Sequence, residues 1–127
     1  MIKAKKSLGQ NFLNDKNILE KIVNTVSITN KTIMEVGPGT GNLTACILNK
    51  KPKKFYVIEK DNELVEELSS KFRDKLFIIN EDILRIDETK MFDEKVVVFG
   101  NLPYNISTEI LSKWITNLKD KFWFENL

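Results

Sequence analysis

Three glycines in five residues, Gly37, Gly39 and Gly41, follow directly on the apolar run Ile33-Met34-Glu35-Val36. Glycine lacks a Cβ and reaches positive φ freely, so this stretch turns sharply and lets its backbone come close to a ligand. Pro38 stiffens the turn by fixing its own φ. The spacing is G-x-G-x-G, whereas the dinucleotide fingerprint G-x-G-x-x-G needs its third glycine one residue later. A second apolar run, Phe55-Tyr56-Val57-Ile58, ends in Glu59, close to the separation of about twenty residues at which a carboxylate meets ribose hydroxyls in such folds. A carboxylate there accepts both hydroxyl hydrogens of an adenosine ribose and repels a 2′-phosphate. The plainer alternatives are a tight connection for the glycines and a solvated strand-end charge for Glu59.

A second group with chemical capacity is Asn101-Leu102-Pro103-Tyr104, directly after the apolar run Val96-Val97-Val98-Phe99-Gly100. The side-chain oxygen of Asn101 and the carbonyl of Leu102 are acceptors for an exocyclic amino group. Pro103 fixes the turn and donates nothing, and Tyr104 offers a face for a base taken out of its stack. The alternative is a helix entry turn capped by Asn105 or Ser107.

The elements that must position these residues alternate. Ile18, Leu19, Ile22, Val23 and Val26 recur at helical spacing with Asn14 or Asp15 as N-cap. The strand at 33–36 and its glycine turn lead to a helix carrying Leu43, Cys46, Ile47 and Leu48, which ends near Lys51-Pro52 because proline disfavours helix just before it. Asp61 caps a helix whose apolar face is Leu64, Val65, Leu68 and Phe72. A third strand, Leu76 to Asn80, precedes Glu81-Asp82-Ile83-Leu84 and a charged loop; the fourth strand follows. Ile106, Ile110, Leu111, Trp114, Ile115 and Leu118 mark a last helix. Strands alternating with helices predict a parallel sheet with right-handed crossovers, and a Rossmann-like order 3-2-1-4 sets the glycine turn, Glu59 and Asn101 along one carboxyl edge, where open α/β sheets bind ligands.

Composition limits the chemistry. The chain has 127 residues, one cysteine and no histidine, which removes disulfide frameworks, the usual zinc clusters and histidine-based triads; no metal site is expected. A net charge of +2 does not by itself imply nucleic acid, although Lys3, Lys5 and Lys6 precede the first acid, Asp15. No membrane span or signal-peptide core is present in the sequence, so the expected compartment is the cytoplasm. Val96 to Phe99 is apolar on both faces, as in a strand covered on both sides. In an order 3-2-1-4 it would be an exposed edge, and Phe122-Trp123-Phe124 has nothing left to cover it. The expectation is therefore the amino-terminal part of a longer protein, with residues 1–30 a basic arm plus helix and 31–127 the Rossmann-like core.

Taken together, Lys6 to Leu13, Glu35 to Thr44, Ile58-Glu59, Glu81-Asp82 and Gly100 to Thr108 resemble the ribosomal RNA adenine dimethyltransferase family, most closely its bacterial members acting on 16S rRNA. That resemblance implies S-adenosylmethionine as cofactor and adenines of 16S rRNA in the small ribosomal subunit as substrate, and it implies that residues 1–127 are the amino-terminal part of a catalytic domain whose further strands, with a carboxyl-terminal helical domain, lie outside this chain. It places Asn11 and Leu13 in the segment closing over the cofactor and Gly37, Gly39 and Gly41 around its methionine part. It also puts Glu59 on the ribose, Asp82 on the adenine amino group with Ile83 against the ring, and Asn101, Leu102, Pro103 and Tyr104 on the target adenine, with Asn101 also near the cofactor.

Other readings differ in testable ways. Erythromycin-resistance methyltransferases of 23S rRNA share most of these motifs. A nicotinamide-dependent dehydrogenase is disfavoured by the glycine spacing and by the absence of a catalytic histidine or Tyr-x-x-x-Lys. A non-catalytic RNA-binding or assembly relic of the same fold is disfavoured by intact Glu59, Asp82 and Asn101.

Overall fold

The structure, a computed structural model, describes residues 16–100 and 124–126. Helix α1 (Lys16–Val23) buries Leu19 and Val23. The sequence pattern runs on to Val26, but Thr25 ends the helix: its hydroxyl donates to the Ile22 carbonyl at 2.6 Å, offering the backbone an alternative to the next helical bond. The proposed caps Asn14 and Asp15 lie outside the described residues, as do Asn11, Leu13, Asn101 to Tyr104 and the last predicted helix.

Strands β1 (Thr32–Val36), β2 (Lys54–Ile58), β3 (Phe77–Ile79), β4 (Val96–Gly100) and β5 (Phe124–Asn126) form one sheet in the order β3-β2-β1-β4-β5. All four pairings are parallel. The order 3-2-1-4 thus holds, and one expectation changes. β4 is not an edge, because Phe124–Asn126 pairs beside it with an irregular register. Backbone pairing of a strand that apolar takes up the exposed row of donors and acceptors. Val96 to Phe99 are all buried accordingly.

Alternation along the strands divides the core in two. Ile33, Phe55, Val57, Val97 and Phe99 face the helices, where α1, α2 (Asn42–Asn49) and α3 (Asn62–Phe72) contribute Leu19, Val23, Leu43, Ile47, Leu68 and Phe72. On the other side Met34, Val36, Ile58, Val96 and Val98 pack with Ile83 and Phe92. Ile83 belongs to a short 3-10 turn, Ile83–Arg85, and Phe92 follows helix α4 (Glu88–Met91). The sequence reads this stretch as loop; four-residue elements carry too little periodicity to announce themselves. The third strand is also shorter than the predicted run from Leu76 to Asn80.

Helix α3 starts as its sequence predicts. The Asp61 carboxylate accepts from the amides of Glu63 at 2.9 Å and Leu64 at 3.3 Å, taking two of the free donors of the first turn. Replacing Asp61 with alanine is expected to cost about 1 kcal/mol of stability, read as a lowered urea midpoint at an unchanged m value.

Candidate functional site

The register fixes the site's frame. Val36 lies level with Ile58 and with Gly100, and Ile58 lies level with Ile79. The next residues along the first three strands, Gly37, Glu59 and Asn80, therefore meet at one carboxyl edge, and Gly100 brings the chain to the same edge immediately before Asn101. Topology in this way gathers side chains that are far apart in sequence.

The glycine turn has the conformation its composition requires. Gly37, Gly39 and Gly41 take φ of 65°, 59° and 91°, all in the left-handed region that costs other residues roughly 1 kcal/mol or more. Gly37 donates its amide to the Ile58 carbonyl at 2.9 Å, which ties the turn to the strand that delivers Glu59. Lys71 of α3 donates to the Thr40 carbonyl at 3.2 Å from the other side.

The last two glycines of the turn, Gly39 and Gly41, differ in what surrounds them. A Cβ at Gly39 would meet nothing within 4 Å, while one at Gly41 would come within 2.8 Å of Phe72 Cε2 and 3.2 Å of Leu68 Cδ2. Gly39 thus borders open space at the edge where a ligand approaches, and Gly41 lets α2 pack on α3. Gly41→Ala combines a disfavoured φ with overpacking and is expected to destabilise by about 2 kcal/mol; Gly39→Ala carries the φ term alone, about 1 kcal/mol. Thermal unfolding of the two variants side by side checks the ranking.

Glu59 is buried, and its backbone is held at both ends. Its amide donates to Ile79 O at 3.0 Å, and its carbonyl accepts from the Asn80 side chain at 3.0 Å. Oε2 accepts from the Asp61 amide at 3.0 Å, which orients the carboxylate. Oε1 has no recorded partner among the described residues. A fixed carboxylate with an unclaimed oxygen beside a glycine turn is suited to a vicinal diol.

Glu35, in sequence simply part of the glycine motif, has a place of its own in the structure. It sits in the middle of β1, 2% exposed, and Thr44 of α2, itself fully buried, donates its hydroxyl to Glu35 Oε1 at 2.5 Å. The bond spans the glycine turn and pins the first turn of α2 to the strand before it. Burial pushes the Glu35 carboxyl up to about 7; the Thr44 hydrogen bond opposes this and the charge of Glu59 adds to it. The available signal was an acid inside an otherwise apolar strand, with a hydroxyl nine residues on.

Asp82 is half-buried, and its Oδ1 accepts from the Leu84 amide at 3.0 Å, starting the 3-10 turn. Ile83 is 6% exposed and packs into the second core cluster. Cys46 is a half-buried free thiol whose pKa burial raises, in keeping with a packing role. Among the described residues, no group of three or more His, Cys, Asp or Glu is arranged to hold a metal, and no helix is long and apolar enough to cross a membrane.

A parallel sheet of this order, with a glycine turn after its first strand and an acid after its second, defines the Rossmann-like fold of methyltransferases. The architecture is similar to that of 23S rRNA methyltransferase ErmE, with a TM-score of 0.70 and 25% identity over 82% of this chain and 42% of that one. It is also similar to a dimethyladenosine transferase from Plasmodium falciparum, with a TM-score of 0.68 and 28% identity over 81% of this chain and 38% of that one. The chain belongs to the ribosomal RNA adenine dimethylase family, whose sequence profile matches residues 1–125. It is 61% identical over 126 residues to ribosomal RNA small subunit methyltransferase A of Pelagibacter ubique, covering 99% of this chain and 48% of that protein. Identity to the Rhizobium meliloti protein of the same name is 40% over 125 residues, with 94% of this chain and 46% of that protein covered. The chain thus spans about half the length of these relatives.

Proposed function

We propose that this chain carries the cofactor half of an enzyme that transfers methyl groups from S-adenosylmethionine to the exocyclic amines of adenines in small-subunit rRNA. The carrying observation is the carboxyl edge, where a turn of three left-handed glycines, open at Gly39, stands level with the oriented and half-free Glu59 carboxylate. The adenosine-type cofactor follows from that pairing. The choice of RNA rests on the family and on the names of the relatives.

The residues fit such a cofactor. Glu59 would accept hydrogen bonds from the ribose hydroxyls, the backbone of Gly37 to Gly41 would admit the methionine end, and Asp82 would take the adenine amino group, with Ile83 beside the ring. Asn11 and Leu13 would be the residues of the amino-terminal segment that close over it, as the family resemblance implies. When bound, S-adenosylmethionine supplies a methyl already made electrophilic by the sulfonium, so orientation matters more than a general base, and the lack of histidine is no obstacle. Asn101 and the Leu102 carbonyl accept hydrogen bonds from the target amine, which favours a pyramidal nitrogen and stabilises positive charge as it develops. Pro103, with its fixed φ and no amide hydrogen, and Tyr104, with an aromatic face for a flipped base, complete the proposed set.

Two measurements test the reading. Calorimetric titration should show saturable binding of S-adenosylmethionine and none of NAD. Radiolabelled methyl transfer by the full-length protein should appear on 30S particles and not on 23S rRNA; transfer to 23S rRNA alone would assign the erythromycin-resistance activity, and cofactor binding without transfer to either would favour an assembly relic.

A further inference from the structure

The edge opposite the ligand site has a different character. Lys50, Lys51, Lys53 and Lys54 surround Pro52 at the start of β2, and the sheet register aligns them with cations from the neighbouring strands. Thr32 lies level with Lys54, so Lys31 falls beside Lys53, whose amide donates to the Lys31 carbonyl at 2.8 Å. The Ile33–Val97 pairing brings Lys95 level with Lys31, and the Tyr56–Phe77 pairing brings Lys75 level with Lys54. Four adjacent strands thus open on lysine. At about 4.8 Å between strands the row spans about 14 Å, which is on the order of four phosphates at about 3.4 Å of axis per strand.

The loops that present this row are held in place. Thr29 donates its hydroxyl to the Lys50 carbonyl at 2.8 Å, and the Asn30 amide donates to the Lys51 carbonyl at 3.1 Å. Lys51 occupies a left-handed φ of 57°, a conformation glycine or asparagine would take more cheaply. Two of the cations are already engaged: Lys50 pairs with Glu20 at 3.6 Å and Lys53 with Glu94 at 3.0 Å, and Glu94 also accepts from Thr32. Lys51, Lys54, Lys75 and Lys95 are exposed and form no ion pair among the described residues; Asp74 and Glu94 are the acids nearest them in sequence, and Glu94, already engaged by Lys53 and Thr32, also feels the charge of Lys54. The ligand edge, by contrast, collects Glu59, Asp61, Glu81 and Asp82 with Lys60 among them, a field that disfavours a polyanion.

We infer that the amino-terminal edge of the sheet is a docking surface for the phosphate backbone of RNA, with Lys51, Lys54, Lys75 and Lys95 as its contacts. The surface is separate from the target-base site and rests on the RNA substrate proposed above. It supplies the attraction that the acidic edge lacks, and it reads no sequence, since contacts of this kind position the nucleic acid without specifying bases.

The test is the salt dependence of binding to a 16S rRNA transcript, followed by anisotropy between about 50 and 200 mM KCl. The full-length protein is compared with a variant in which Lys51, Lys54, Lys75 and Lys95 are all glutamine, and with a control in which Lys16, Lys21 and Lys90 are glutamine. The slope of log K against log salt should fall by about 3 in the first variant, with affinity at low salt reduced roughly tenfold or more. The control should keep its slope, and melting temperature and S-adenosylmethionine titration should be unchanged in both. An unaltered slope in the first variant overturns the docking surface while leaving the RNA substrate standing. Equal losses per lysine in the two variants also overturn it, because general positive charge then suffices. Failure of the unaltered protein to bind the transcript would overturn the surface and the substrate reading together.

Discussion

Glu59→Ala is expected to weaken S-adenosylmethionine binding by roughly two orders of magnitude or more while leaving the fold intact. Hydrogen bonds to a charged group contribute about 1.5–3 kcal/mol each, and a carboxylate that accepts two ribose hydroxyls loses both at once; about 3 kcal/mol or more corresponds to a Kd raised at least about a hundredfold. The fold tolerates the change because the Glu59 side chain makes one bond to the protein, from the Asp61 amide at 3.0 Å. The strand contacts come instead from its backbone, through Ile79 and Asn80. Glu59→Gln keeps one acceptor oxygen and is expected to fall between the two. Calorimetry at matched melting temperatures checks the series. Binding by the alanine variant equal to that of the unaltered protein would move the ribose elsewhere and remove the main support for an adenosine-type cofactor.

The second large effect is a pH dependence that belongs to one residue. The Glu35 carboxyl is raised from 4.5 to about 7 by burial, so between those values the folded chain holds a proton that the unfolded chain releases. The sign follows: the stabilising contribution of protonated Glu35 is fully present below about pH 4.5 and is lost as pH rises through about 7. At about 1.4 kcal/mol per pH unit the change amounts to about 3 kcal/mol. Glu35→Gln removes the titrating group and keeps an acceptor for Thr44, so the difference in unfolding free energy between the two proteins isolates this residue. Urea unfolding at about pH 5 and about pH 8, which bracket most of this window, should show the glutamine variant gaining about 2.5 kcal/mol relative to the unaltered chain. Thr44→Val should move the midpoint further up, since its hydrogen bond is what holds the ionised form. A flat difference across the range would mean that water or a cation reaches Glu35.

What the sequence determined by itself was local or nearly so. Glycine spacing dictated the left-handed turn, because the φ values of Gly37, Gly39 and Gly41 are a backbone matter that few other residues satisfy. Asp61 announced its helix through a cap reaching two and three residues ahead. Apolar runs marked the four strands, and their alternation with helices led to the parallel order. Glu59 was legible because it stands one residue past a strand end and about twenty beyond the glycines, a separation that a βαβ unit converts into proximity.

Tertiary structure decided whatever depended on which strands lie side by side. Phe124–Asn126 became a fifth strand through its pairing with β4, for which three residues carry no periodic signal. Glu35 and Thr44 meet across the glycine turn, and only the burial of both makes the acid's ionisation costly. The lysines at 31, 51, 53, 54, 75 and 95 are scattered along a chain whose net charge is +2; four parallel strands in register draw them to one edge and gather Glu59, Asp61, Glu81 and Asp82 at the other. Composition averages charge over the whole molecule, and register separates it in space.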